Sequence, residues 1–160
     1  MKNEKTKIGD PVPRFSLLDQ NGEVFSIAKY LGRKKLVIYF YPKDESSICT
    51  KEACAFRDSY QEFKEAGAMV IGINSGTVES HRHFAAKHRL NFTLLSDPGN
   101  QVLRKFGIRN LLFFTGRETF VVGLSGRIQL RYRGFLNGEA HVHATLDLLQ
   151  AVGERPVVLS

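Results

Sequence analysis

Cysteine is scarce in this chain: its 160 residues include two, Cys49 and Cys54. So low a number excludes a small secreted scaffold stapled by disulfides. It leaves the pair to read as a reactive couple in a reducing compartment. Long apolar runs are missing too. No stretch approaches the roughly 20 residues of a helical membrane span, so no membrane association is expected. Residues Met1 to Lys7 are basic and contain no apolar h-region, so they read as a short flexible tail and not as a signal peptide. A cytoplasmic protein is expected. The formal net charge of +7 permits an electrostatic partner. Yet the basic residues are scattered and no nucleic-acid motif is present, so nucleic-acid binding is not expected. No linker, repeat or low-complexity segment is seen, and the length suits one domain over 1–160 with a core that needs no staples.

What is present reads as alternating strands and helices. Arg14–Leu18 and Val24–Ile27 flank Gln20, Asn21 and Gly22, a hairpin signal. Lys35–Tyr41 is a nearly unbroken apolar run, as expected of a strand buried on both faces, and Pro42 stops it. Ala68–Ile73 is a second such strand. Between them Ala53, Phe56, Tyr60 and Phe63 recur at helical spacing up to Gly67. A helix is predicted from Val78 to His88, with Phe84 and Ala85 inward. A short strand at Phe92–Leu95 and a short helix over Asn100–Phe106 follow. Thr119–Gly123 and Arg127–Arg133 form a second hairpin. Its last strand alternates strictly and is expected to show one face to water. Glu139–Val152 reads as a closing helix with Val142, Leu146 and Leu149 inward.

The cysteines fall at the junction between the first buried strand and its helix. A thiol there meets the positive end of the helix dipole and unpaired backbone N–H groups, which favour the thiolate. Cys49 lies on the inward stripe with Ala53 and Phe56. Cys54 is rotated roughly 140° away, towards Arg57, Asp58 and Gln61. In an intact helix their Cα atoms are about 8.5 Å apart, beyond the ~7 Å limit for a disulfide. The two can bond only if the first helical turn unwinds. That geometry suits a transient disulfide and not a structural one.

Pro42, Ser46 and Cys49 fit the pattern Pro-x-x-x-Thr/Ser-x-x-Cys. The flanking Tyr41 to Asp44 and Cys49 to Asp58 extend the match, as do Gly9 to Phe15, Phe92 to Asp97 and Gly116 to Phe120. In these residues the chain resembles the peroxiredoxins, and most closely the peroxiredoxin Q, or bacterioferritin comigratory protein, branch. The resemblance implies a thioredoxin-like α/β fold, a central mixed sheet flanked by helices with an N-terminal β-hairpin. It implies a thiol-dependent peroxidase acting on hydrogen peroxide and organic hydroperoxides, working as a monomer or weak homodimer.

By the same resemblance Cys49 is the peroxidatic thiol and Cys54 the resolving one, the two joining in an intramolecular disulfide that thioredoxin or a similar dithiol reduces. Arg117 polarises the peroxide and stabilises the thiolate. Ser46 hydrogen-bonds the thiolate, or serves only as a helix cap. Pro42 shields the thiolate and fixes the loop. No metal, haem or flavin is called for. The runner-up activities are a protein thiol-disulfide oxidoreductase, whose Cys-x-x-Cys is absent, and a redox sensor.

Several residues invite other readings. Glu52 is expected in the first helical turn as a dipole partner. His81 with His83, and His141 with His143, suggest metal ligands on paper. On a helix i, i+2 pairs point apart, so solvated histidines are expected. Where the branch often has Pro-Gly before the first cysteine, this chain has Ser47 and Ile48, which predicts a more apolar pocket mouth. Leu111–Phe114 could line that pocket, form a dimer patch or pack beneath its loop.

Overall fold

The computed structural model describes residues 6–108, 110–111, 114–115, 118–133, 142–147 and 149. A seven-stranded mixed sheet runs in the order β2-β1-β5-β4-β3-β8-β9. Its centre is parallel: β3 (Lys35–Phe40) pairs with β4 (Ala68–Asn74), which pairs with β5 (Thr93–Ser96). Antiparallel strands flank it. On one side lie β1 (Ser16–Asp19) and β2 (Val24–Ser26), on the other β8 (Glu118–Val122) and β9 (Ile128–Arg133). This is the expected thioredoxin-like α/β arrangement. A separate two-stranded piece pairs β6 (Asn110–Leu111) with β7 (Phe114–Thr115), the only described part of the Leu111–Phe114 segment.

The continuous apolar runs become strands because the sheet is covered on both faces. Along β3, Leu36, Ile38 and Phe40 enter one core cluster, with Phe15, Phe25, Ile27, Leu103 and Phe106. Val37, Tyr39 and the following Tyr41 enter the other, with Cys49, Phe56, Phe63, Phe84, Val142, Leu146 and Leu149. Each of these large side chains contributes about 1.5–3 kcal/mol by leaving water. Tyr39 also needs space from its neighbour in register, Gly72. A Cβ at Gly72 would lie 2.8 Å from the Tyr39 ring, so only glycine admits the ring across β4.

The hairpin forms where expected. Asp19 Oδ1 accepts from the amides of Asn21 and Glu23, and Gly22 takes φ +78°. Gln20 then ties the turn to β5, donating to Phe92 O and accepting from Leu94 N, both at 3.0 Å. Thr6, expected in the flexible tail, is buried, and its carbonyl accepts from Arg131 Nη1 at 2.9 Å.

Two expectations need correction. The single helix expected after Cys49 is two, α1 (Ser47–Asp58) and α2 (Tyr60–Glu65), broken at Ser59. Asn91 Nδ2 donates to the Arg57 carbonyl, which an unbroken helix would use internally. The last strand is the second. Gln129, Arg131 and Arg133 do not form a simple water-facing row. Fully buried Glu118 accepts from Arg131 Nε at 2.7 Å and Arg133 Nη2 at 2.8 Å, and the Arg131 guanidinium lies over the Phe120 ring. The carboxylate recruits the arginines into the sheet.

The remaining helices are α3 (Val78–Lys87) and α4 (Gln101–Lys105), with residues 142–147 helical within the expected closing helix. Thr77 caps α3 by accepting from Ser80 N, and Gly107 ends the short α4 turn at φ +70°.

Candidate active site

The site lies beyond the C-terminal end of β3, where the strand hands over to α1 through residues 41–46. Ser46 has extended backbone, φ −70° and ψ 149°, and is the N-cap of α1. Its Oγ accepts from the Cys49 amide at 3.3 Å and donates to Lys43 O at 3.3 Å. Its carbonyl accepts from Thr50 N at 2.8 Å, which begins the helical ladder. Cys49 is thus held in the first turn, near the positive helix end.

Cys49 is 1% exposed and packs in the cluster with Tyr41, Ala53 and Phe56. Cys54 is half-buried on the same unbroken helix, and the two thiols are not joined in a disulfide. Arg57 lies within electrostatic reach of Cys54. The Asp58 hydrogen bond and that sulfur hold its guanidinium above the ordinary value. The helix therefore separates the sulfurs as its geometry requires, with Cα atoms about 8.5 Å apart.

The other expected residues divide. Pro42 is exposed at the start of the loop, and Ile48, one residue before Cys49, is 38% exposed. Arg117 lies outside the described residues. Its neighbour Glu118 stands opposite Phe40 in register, at the site end of β3. Glu52 is not in the first turn, which has no acidic residue; it is one turn further on and fully buried.

The histidine expectation also needs correction. His83 and His143 are exposed, and His141 lies outside the described residues. His81, however, is fully buried. It belongs to the stripe His81, Phe84, Ala85 and His88, the same spacing of three and four that marks the inward side of α3. Pairing it with His83 obscured that periodicity.

His81 reaches the active-site loop. Its Nδ1 lies 2.6 Å from Asp44 Oδ2, and its Nε2 meets Leu95 O at 3.0 Å. Because a carbonyl only accepts, Nε2 carries a hydrogen. Asp44 Oδ2 also accepts from Ser80 Oγ at 2.8 Å, while Oδ1 accepts from Tyr41 Oη at 2.6 Å and Asn74 Nδ2 at 3.3 Å. Burial pushes the Asp44 carboxyl up, but the hydrogen bonds from His81, Tyr41 and Ser80 outweigh it and hold the group below its ordinary value. Burial drives the Tyr41 phenol well above its ordinary value, reinforced by Tyr39, Asp44 and Cys49, so it stays a donor. Gly76 closes over the cluster: a Cβ there would lie 2.9 Å from Asn74 Oδ1 and 3.2 Å from His81 Cε1.

Such an arrangement can present one buried, helix-capped sulfur to a small oxidant and keep a second thiol in waiting. Comparison with known proteins agrees. Residues 8–131 match the AhpC/TSA family. The chain is 49% identical over 150 residues to chloroplastic peroxiredoxin Q of Sedum lineare, covering 92% of this chain and 80% of that protein. Its counterpart from Arabidopsis thaliana is 48% identical over 149 residues, covering 92% and 68%. Among solved structures, peroxidoxin BcpB from Mycobacterium tuberculosis aligns with a TM-score of 0.85 and 34% identity, over 92% of this chain and 98% of that one. A Xanthomonas campestris bacterioferritin comigratory protein, described for its alkyl peroxide reduction activity, gives 0.80 and 30% over 88% and 92%. A capped cysteine at a strand–helix junction and these likenesses point the same way: the chain belongs to the AhpC/TSA family, in its peroxiredoxin Q branch, and is a thiol-dependent peroxidase.

Proposed function

We propose that Cys49 reduces hydrogen peroxide and organic hydroperoxides through a sulfenic acid and an intramolecular disulfide with Cys54. The Cys49 thiolate attacks the distal, hydroxyl oxygen of the hydroperoxide, the O–O bond breaks, and the other oxygen leaves as water or an alcohol after taking a proton. Cys49 is then a sulfenic acid. The Cys54 sulfur displaces its hydroxyl as water, and an external dithiol such as thioredoxin reduces the disulfide by exchange. The observation that carries this reading is the placement of the two thiols. One is buried in a capped first turn, and the other is half-buried on the same helix.

Organic hydroperoxides are included because exposed Ile48 makes the mouth apolar and because the Xanthomonas relative is described as reducing alkyl peroxides. Pro42 shields the thiolate from water and fixes the loop, and Arg117 supplies the cation that polarises the peroxide. We place the chain in a reducing compartment such as the cytoplasm, acting as a monomer or weak homodimer.

Peroxide consumption coupled to thioredoxin, thioredoxin reductase and NADPH tests the proposal. Sustained turnover that Cys49→Ser abolishes is the expected result. A single stoichiometric oxidation of Cys49, without turnover by any dithiol, would overturn it in favour of a redox sensor.

A further inference from the structure

His81 and Asp44 form a buried acid–base pair that the peroxide chemistry above does not use. Asp44 is 5% exposed and His81 fully buried. His81 Nε2 carries a hydrogen, because it meets the Leu95 carbonyl at 3.0 Å. His81 Nδ1 and Asp44 Oδ2 stand 2.6 Å apart. A bare ring nitrogen and a carboxylate oxygen would repel at that separation, so a second hydrogen lies between them. Whichever atom holds it, imidazole and carboxyl together have no net charge. The other groups bonded to Asp44 are neutral donors: Tyr41 Oη at 2.6 Å, Ser80 Oγ at 2.8 Å and Asn74 Nδ2 at 3.3 Å. Among the described residues His81 is thus the one partner of Asp44 that can balance its charge. Glu45 is engaged separately, with Lys87 at 3.2 Å and His88 at 3.5 Å.

Tyr41 connects this pair to the reacting sulfur. Its hydroxyl is bonded to Asp44 Oδ1, its ring centroid lies 6.5 Å from that of His81, and its side chain packs in one cluster with Cys49. The sulfur and the phenol are electrostatically coupled, since Cys49 is among the causes that hold Tyr41 above its ordinary value. A buried carboxylate is a poor neighbour for a thiolate, because like charges oppose each other strongly where water is excluded. We infer that His81 neutralises Asp44, so that the carboxylate which ties the active-site loop together does not oppose the Cys49 thiolate. This rests on the reading of Cys49 as the reacting thiol. Asp44 then accepts four hydrogen bonds, from Tyr41, Asn74, Ser80 and His81, without adding net negative charge behind the sulfur. His81 acts through Asp44 and is a positioning residue for the peroxide reaction.

The full chain carrying Cys54→Ser leaves Cys49 as its single thiol, and the rates of that thiol with hydrogen peroxide and with iodoacetamide are measured against pH. His81→Asn keeps a donor towards Asp44 and removes the balancing charge. It is expected to slow both reactions about tenfold or more at pH 7, and by less at about pH 9, where the thiolate forms despite the added charge. Adding Asp44→Asn to His81→Asn removes the uncompensated carboxylate and is expected to recover most of the loss. A cluster that serves packing alone predicts the reverse, because the double variant gives up more contacts. Asp44→Asn by itself is expected to lose less than His81→Asn, since a neutral His81 accepts from the new amide through Nδ1 and still donates to Leu95 O. The inference is overturned if the double variant is as slow as His81→Asn or slower, if His81→Asn reacts at the parent rate, if its loss is the same at every pH, or if Asp44→Asn alone loses more. Should His81→Asn fail to fold, nitrogen and carbon NMR of His81 and Asp44 in the wild type decide at pH 7: one hydrogen shared between them upholds the inference, and none overturns it. A Cys49 that reacts with iodoacetamide but not with peroxide would refute the peroxidase reading, and the charge balance is then judged on alkylation by the same criteria.

Discussion

The hydroxyl of Ser46 accepts a hydrogen bond from the backbone amide of Cys49 at 3.3 Å, so the residue that begins α1 also fixes its first-turn cysteine. Cap and site are one structure. Ser46→Ala is expected to lower unfolding free energy by about 1 kcal/mol, measured by urea denaturation. It is also expected to slow peroxide attack, and Ser46→Thr to restore both.

The two thiols are not interchangeable. Cys49→Ser is expected to abolish peroxide reduction, because no other sulfur occupies a capped helix start. Cys54→Ser is expected to permit one oxidation of Cys49 and then stop, trapped as the sulfenic acid or a mixed disulfide. Mass spectrometry after one equivalent of peroxide separates the two. Equal loss of the initial oxidation in both variants would reverse the assignment.

Ile48 offers a handle on substrate size. Its side chain is 38% exposed beside the buried sulfur. Ile48→Ser is expected to lower kcat/KM for a bulky organic hydroperoxide more than for hydrogen peroxide. An unchanged ratio would remove Ile48 from the mouth.

Asp44 sets an acid limit. Hydrogen bonds hold its carboxyl below the ordinary value against the opposing effect of burial. A depressed native pKa stabilises the fold above the unfolded value near ~3.9, and the gain is lost as pH falls through the native one. The stability that the Asp44 carboxylate contributes is therefore expected to shrink as pH falls below about 4, and to be absent from Asp44→Asn. Denaturation curves across that range measure it.

Much of this architecture is legible in residue order. Leu36, Ile38 and Phe40 alternate with Val37, Tyr39 and Tyr41, all apolar or aromatic, a short run stopped by Pro42 that reads as a strand covered on both sides. Cys49, Ala53 and Phe56 mark the buried side of α1 at helical spacing. What escaped notice depends on distant partners. His81 lies 37 residues from Asp44, and nothing local shows that the loop will bring a carboxylate to a histidine on an otherwise apolar stripe. The period of α3 alone could have placed His81 inward. Glu118 likewise draws in Arg131 from the neighbouring strand, a pairing that only the sheet register creates. Next to the break at Ser59, the Arg57 carbonyl is met by Asn91, also remote in sequence.

Gly72 tests the packing beneath the site. Gly72→Ala would push a Cβ to 2.8 Å from the Tyr39 ring, which stacks on Phe56 of α1 at a centroid distance of 4.6 Å. Overpacking of this kind is expected to cost about 1–3 kcal/mol by thermal or urea unfolding.

The sheet's division of the interior into two clusters sets how far a local opening can spread. Cys49, Ala53 and Phe56 all belong to one cluster, and the cluster on the opposite face includes no residue of α1. On the proposed cycle, opening α1 would be a sub-global event in one cooperative unit, with β3 as its boundary and the second unit intact behind it. A cycle of that kind would melt and rebuild a helix end without risking the fold, and would leave the oxidised protein a folded template on which reduction restores the site.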